Sequence, residues 1–306
     1  MRGWLAVALQ QRRDWLVPPG FDVFDCWLFN VVMPSSGVMT RDHWCVAYGD
    51  EAHLGADTSW YLSEGLAQGE QVGFFGWGTV EDLRAPLTGL DHLDALIDAG
   101  RARVGSFGKR FRLDEPPDPA ALVSFWDDAT EEALTAGFSG LRVVADTTPW
   151  AGLRRDQRAV FLQGEQLLNR YRHRKPFTLI CACDASALSA EALTETASIH
   201  PLTQGVSTPF CLYATDAADF AVQGEIDALG VALFERLLES VPASDAGDRL
   251  VIDASGLGFI EHRSLLALER HAERRDLSVV LARAPGVAGR IAGLLDLRRV
   301  RLQGAP

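Results

Sequence analysis

The side chains best equipped for chemistry stand where apolar, strand-like runs give out. HWCVAY ends on Tyr48, QVGFFG leads into Trp77, LRVVA ends at Asp146 with Trp150 close behind, and FTLICAC ends on Cys183 with Asp184 next. In open α/β sheets, ligands lie outside the carboxyl ends of the strands. A phenol, two indoles, two carboxylates and a thiol gathered there would give aromatic walls with a few polar anchors, which suits a small, mostly apolar ligand. Tyr48, Trp77, Asp146, Trp150, Cys183 and Asp184 are therefore the expected ligand-binding residues. The competing account has Trp77 and Trp150 packing loops against the core.

Other chemistries fit less well. A phosphate loop needs backbone N–H groups around the phosphates, a lysine to neutralise them and a hydroxyl for magnesium. After QVGFFG the chain reads Gly76-Trp77-Gly78-Thr79-Val80-Glu81, with no lysine, glycines too closely spaced, and Glu81 and Asp82 adding negative charge. ATP hydrolysis by the standard route is not expected, and no cofactor is. Cys181 and Cys183, with His43, Cys45 or His200, have the residue types of a metal or redox site. Residues two apart in a strand face the same way, however, and simply fill core. With no clustered partners evident, no metal is expected. Glu165 reads as a surface carboxylate, the alternative being a hydrogen bond to the loop of Asp146. No Ser-His-Asp order with a nucleophile elbow and no acid–base pair of carboxylates appear. No catalytic residue is assigned, and the chain is not expected to be an enzyme.

To bring those strand ends together the chain must alternate strands with helices, and its patterning does so. Strands are expected at 43–48, 71–76, 102–107, 141–145 and 177–183. Helices are expected at 50–67, capped by Asp50, and at 80–87, 91–99, 119–136, 155–171 and 190–198. This alternation means a mostly parallel sheet covered on both faces. A break is expected at 202–209, where Gly, Ser, Thr and Pro cluster. Residues 1–40 fit this scheme poorly and read as a non-core, poorly ordered arm.

Beyond the break a second unit begins. Its organising stretch is RLVIDASGLGFIEHRSLLALERHA, 249–272. It reads as a strand ending at Asp253, a turn-prone segment over 254–258, a short strand over 259–261, then a helix. Upstream lie FAVQGEID and an amphipathic segment over 229–241; downstream lie a strand over 277–282 and a last helix through Leu297.

Net charge of −12 and a pI near 5.0 argue against direct nucleic-acid binding, which needs a basic face to displace counterions. Five cysteines without zinc-finger spacing fit reduced thiols in the cytoplasm. No apolar run approaches a membrane span.

Two resemblances follow from these strings. HWCVAYGD, EGLAQGEQVGFF, GFSGLRVVADTTPW, GEQLLNRY, LICACD and IHP, in that order over 41–204, resemble the MEDS sensory family. That implies a degenerate RecA-like domain that senses small molecules such as hydrocarbon derivatives. Residues 208–304 resemble a STAS domain, the fold of anti-sigma-factor antagonists, implying a smaller α/β domain that docks on an anti-sigma factor or a related kinase-type regulator. Members that act as phospho-switches carry Asp-Ser-Ser/Thr-Gly-Leu where this chain has Glu261-His262-Arg263-Ser264-Leu265. The acceptor position falls on Arg263, so the usual switch is lost or moved; Ser264 or Ser255 could substitute as the acceptor, the competing account being that these serines cap or pack. The resemblance makes Gly256, Phe259, Glu261, His262, Arg263 and Ser264 the expected partner-binding residues. The competing functions are a nucleotide-binding ATPase with an atypical phosphate loop and a non-catalytic scaffold that forms homo-oligomers.

Overall fold

A computed structural model describes residues 43–242 and 247–304. The arm expected over 1–40 lies outside them. The chain opens with β1 (His43–Tyr48), α1 (Glu51–Ala67), β2 (Gln71–Gly76), a 3-10 turn (Asp82–Leu87), α2 (Leu93–Asp98) and β3 (Ala102–Ser106). It continues with a short 3-10 turn (Phe107–Lys109), α3 (Pro119–Thr135), β4 (Leu141–Asp146), α4 (Thr148–Ala151), α5 (Arg155–Arg174), β5 (Phe177–Asp184), α6 (Ala190–Ala197) and β6 (Leu202–Gln204). These strands form one sheet in the order β3-β2-β4-β5-β1-β6, every pair parallel.

The apolar runs are continuous because this sheet is buried on both faces. Side chains alternate between faces along a strand. Trp44, Val46, Val72, Phe74, Val144 and Ile180 therefore meet Leu54, Tyr61 and Leu62 of α1. On the opposite face Cys45, Phe75, Val143, Leu179, Cys181 and Cys183 join the cluster built on Trp126 of α3 and Phe161 and Leu168 of α5. Local signals agree with these ends: Asp50 accepts the His53 amide at 2.9 Å and Asp118 the Ala121 amide at 2.8 Å, each capping its helix.

A second, mixed sheet follows: β7 (Phe210–Ala214), β8 (Phe220–Ile226), β9 (Arg249–Ile260), β10 (Ser278–Ala284) and β11 (Val300–Gly304). Its order is β11-β10-β9-β8-β7, with β7 antiparallel to β8 and the rest parallel. Helices α7 (Val231–Glu239), α8 (His262–Arg275) and α9 (Gly286–Ala292) complete this half. Phe210, Phe220, Phe234, Ile252 and Leu268 belong to the same apolar cluster as Phe161 and Leu168 of α5, so one core runs between the sheets. The architecture is α/β: a six-stranded parallel sheet in a RecA-like arrangement, then a smaller mixed-sheet region.

Several elements differ from the sequence expectation. The segment 254–258 is not a turn; β9 runs unbroken through it. Gly256 and Gly258 let β9 lie close on β8, and the pairing shifts register between Ala221 and Gln223 and again between Gly224 and Glu225. Gly224 sits at φ +99, and a Cβ there would meet the Pro209 carbonyl oxygen at 2.5 Å, so the irregularity needs glycine. The helix expected at 80–87 is only the 3-10 turn, with Pro86 inside it unable to donate. The break at 202–209 contains β6, paired to β1. The last helix stops at Ala292 instead of Leu297. Among the described residues no helix is long and apolar enough to cross a membrane.

Candidate functional site

The strand ends gather part of the expected ligand set. Tyr48 and Asp184 are register partners on β1 and β5, and Asp146 ends β4 beside them. Thr148, which the sequence did not single out, knits the group together: its amide donates to Asp146 at 3.0 Å and its hydroxyl accepts the Asp184 amide at 2.9 Å. Burial pushes the Asp146 carboxyl up against the pull of the Thr148 hydrogen bonds, with the Asp184 charge adding to the rise. Burial, then the Asp146 charge, does the same to the Tyr48 phenol. The other members point elsewhere. Trp150 is buried among Phe107, Phe111 and Phe161, and its indole donates to the Arg112 carbonyl at 3.2 Å. Cys183 is fully buried. Trp77 is half-buried and packs edge-to-face on Trp150 at 5.1 Å. The packing account of the two tryptophans describes what they touch.

A denser group of functional side chains lies beneath the first sheet, away from that edge. His43 at the start of β1, Cys181 within β5, Glu165 on α5 and His200 just before β6 place one ligating atom each within 4.8 Å of one another. All four are buried. Glu165 Oε2 stands 3.1 Å from His43 Nε2, 3.5 Å from His200 Nε2 and 3.0 Å from Cys181 Sγ; His43 Nε2 to Cys181 Sγ is 3.1 Å. Glu165 is thus not a surface carboxylate, and Cys181 does have clustered partners. The sequence signal lay in the helical spacing: Glu165, Gln166 and Asn169 stand three, four and seven residues after Leu162, where the buried stripe of α5 should be apolar. Three polar groups on a buried stripe each need a partner.

The outer ring atoms fix both histidines. Asn169 Nδ2 donates to the Ile199 carbonyl at 3.0 Å, so its Oδ1, 3.1 Å from His43 Nδ1, accepts a hydrogen bond from that N–H. His200 Nδ1 lies 2.8 Å from the Thr196 carbonyl, which can only accept. In their neutral forms both imidazoles therefore turn a bare Nε2 lone pair inward. Burial would raise the Glu165 carboxyl; only while His200 and His43 carry a proton on Nε2 do they outweigh it and hold the carboxyl low. An ionised Glu165 would by itself keep His43 protonated. Burial, then the neighbouring His200, wins and takes the His43 imidazole down to about 4. Burial, then Glu165, pushes the Cys181 thiol up.

The same helix reaches the second sheet. Gln166 Nε2 donates to the Leu212 carbonyl at 2.8 Å, and its Oε1 accepts the Ala214 amide at 2.8 Å. The Leu212 amide donates to the Ser198 carbonyl at 2.7 Å. β7 is the edge of its sheet, so Gln166 and Ser198 together stand in for a missing neighbour strand. Nearby, Glu195 of α6 accepts Arg158 of α5 at 2.7 Å and also pairs with Arg236 of α7, an ionic bridge between the two halves.

In the loop after β2, the Asp82 carboxylate accepts both the amide (3.1 Å) and the hydroxyl (2.6 Å) of Thr79. At the start of α8, Glu261 accepts the Arg263 amide at 2.7 Å. Gly256, His262 and Arg263 are exposed there, and Phe259 and Glu261 half-buried. Ser264 is buried, its hydroxyl without a hydrogen-bond partner, so it presents nothing to a kinase or a docked protein until α8 moves. Ser255 is exposed.

Residues 42–201 match the family described as MEthanogen/methylotroph, DcmR Sensory domain, or MEDS. No curated protein matches the chain.

Proposed function

The chain belongs to the MEDS sensory family, and from that premise we propose that it is a non-catalytic regulator whose first sheet perceives a small ligand and whose second sheet grips a protein partner. A signalling role follows from the sensory domain itself. The partner, an anti-sigma factor or a related kinase-type regulator, rests on the STAS-like order of strings over 208–304 and on the exposure of Gly256, His262 and Arg263. The observation that carries the link is on α5: Glu165 enters the buried polar cluster of the sensory half and Gln166 holds the edge of the other half. A ligand acts on the partner only through a difference in its affinity for two arrangements of these halves, and α5 is an element whose position both halves would register.

The test is binding of the full chain to each anti-sigma factor and kinase-type regulator encoded by its host, measured by calorimetry with Arg263→Asp as control. Binding that is lost in the variant supports the reading. If none binds, the antagonist part is wrong; magnesium-dependent ATP turnover or a change of mass alone would then favour the ATPase or the scaffold.

A further inference from the structure

We propose that His43 Nε2, His200 Nε2, Glu165 Oε2 and Cys181 Sγ bind one divalent transition-metal ion of the zinc class. The cluster is short of protons. The hydrogen bonds of Asn169 and Thr196 hold each ring proton on Nδ1, so two imidazole lone pairs, a carboxylate oxygen and a sulfur converge on one buried point. The Cys181 thiol brings one proton, which it directs at Glu165. His200 Nε2 is buried and has no hydrogen-bond partner of good geometry. A buried acceptor left without a donor is costly, and a cation satisfies all four at once.

The geometry is close to what such an ion requires. Zinc–ligand lengths of about 2.0–2.3 Å in a tetrahedron put neighbouring ligand atoms about 3.3–3.7 Å apart. Four of the six ligand–ligand separations run from 3.0 to 3.5 Å and the remaining two, both to His200, lie within 4.8 Å, so shifts of up to about an ångström, largest at His200, seat the metal. Both histidines already have the outer partner that orients a metal-bound imidazole, a side-chain amide oxygen for His43 and a backbone carbonyl for His200. The charge balances too. Binding displaces the Cys181 proton to solvent, and thiolate plus carboxylate then neutralise a divalent ion in a buried site. Two imidazoles and a thiolate favour a borderline-soft ion over magnesium or calcium, which take oxygen.

Binding stands on these contacts alone. Its use as a signal rests on the sensory reading: the ion would join β1, β5 and α5 to the segment carrying Ser198 and His200, and Gln166 and Ser198 are the groups that hold β7.

The test uses the full chain made in minimal medium with cobalt(II) as the probe. The expected product carries one cobalt per chain, with a thiolate-to-metal charge-transfer band and the strong visible bands of a tetrahedral ion. Cys181→Ser should lose the charge-transfer band, while Cys183→Ser, on the same strand face, should keep it. Asn169→Ala should weaken retention by roughly 10–100-fold, as for other partners of metal-bound histidine. A chain without metal, or a band that survives Cys181→Ser, overturns the proposal. If Cys181→Ser does not fold, X-ray absorption on the zinc-loaded wild type decides. One sulfur at about 2.3 Å with three nitrogen or oxygen neighbours at about 2.0–2.2 Å supports the site; any other shell sinks it. A metal-free chain that still binds its regulator would refute this site and leave the proposed function standing.

Discussion

Glu165 and Gln166 are consecutive on α5, yet their side chains serve different sheets: Glu165 Oε2 lies 3.1 Å from His43 of β1, and Gln166 Nε2 donates at 2.8 Å to Leu212 of β7. A helix turns about 100° per residue, so a helix wedged between two sheets can present neighbouring residues to both. Rotating or sliding α5 would change both contacts together, which makes it the natural carrier of a signal.

Gln166→Leu is expected to uncouple the halves. It strands the Leu212 carbonyl and the Ala214 amide, both previously paired with the glutamine. At about 1–3 kcal/mol for each of the two buried groups left unsatisfied, the variant should lose roughly 2–6 kcal/mol in urea denaturation. Amide exchange at Ala214 should accelerate while that of β4 stays slow. Unchanged exchange at β7 would show that Gln166 is not what holds this edge.

Trp150 and Tyr48 should separate fold from site, although both stand near strand ends. Trp150 fills the core among Phe107, Phe111 and Phe161, and Trp150→Ala should cost about 3–5 kcal/mol. Tyr48→Phe removes only a hydroxyl facing Thr148 and Asp146 and should cost less than about 1.5 kcal/mol. Thermal denaturation of the two variants checks the contrast; equal losses would mean that the hydroxyl is part of the core network.

The first sheet was legible because its strands are largely apolar stretches of five to eight residues with amphipathic helices between them. β6 was not, since three residues carry no period and LTQ sits among turn formers. β9 was misread because SGLG has the composition of a turn, and only the neighbouring β8 shows that those small residues permit close pairing. The His–Glu–Cys cluster was the harder case. Its members come from β1, α5, β5 and the segment after α6, so no local spacing announces them, and each alone reads as core or surface. The sheet order that makes β1 a neighbour of β5 is what assembles them. What sequence alone did offer was the polar stripe of α5.

Arg142 and Glu70 form a buried pair at 2.5 Å, with the guanidinium also over the Tyr61 ring at 4.8 Å. Removing one partner of such a pair typically costs about 3–5 kcal/mol, because the other charge stays buried. Arg142→Met alone should therefore be strongly destabilising. Adding Glu70→Gln should recover much of the loss, since apolar or neutral replacements of whole buried pairs are often well tolerated. A double-mutant cycle in guanidinium chloride measures this, and strictly additive losses would show that Arg142 acts by packing alone.

His271 of α8 should shape the acid limb of stability. It is buried with Nε2 lacking a hydrogen-bond partner, and burial, then Arg275 and Arg274, lowers its imidazole to about 4. The unfolded chain takes up its proton near 6.5 and the folded chain only near 4. Between these values the unfolded state binds more protons, so stability falls as pH is lowered through that window. Above 6.5 the residue is neutral in both states and has no effect on the slope. A tenfold difference in proton affinity between the two states corresponds to about 1.4 kcal/mol; after allowance for solvent screening, the loss from this residue should be about 2 kcal/mol by pH 4. His271→Leu should flatten the profile by that amount without steepening it above pH 7, measured as urea midpoints across pH 4–8. A variant that keeps the full acid slope would place the responsible proton on another group.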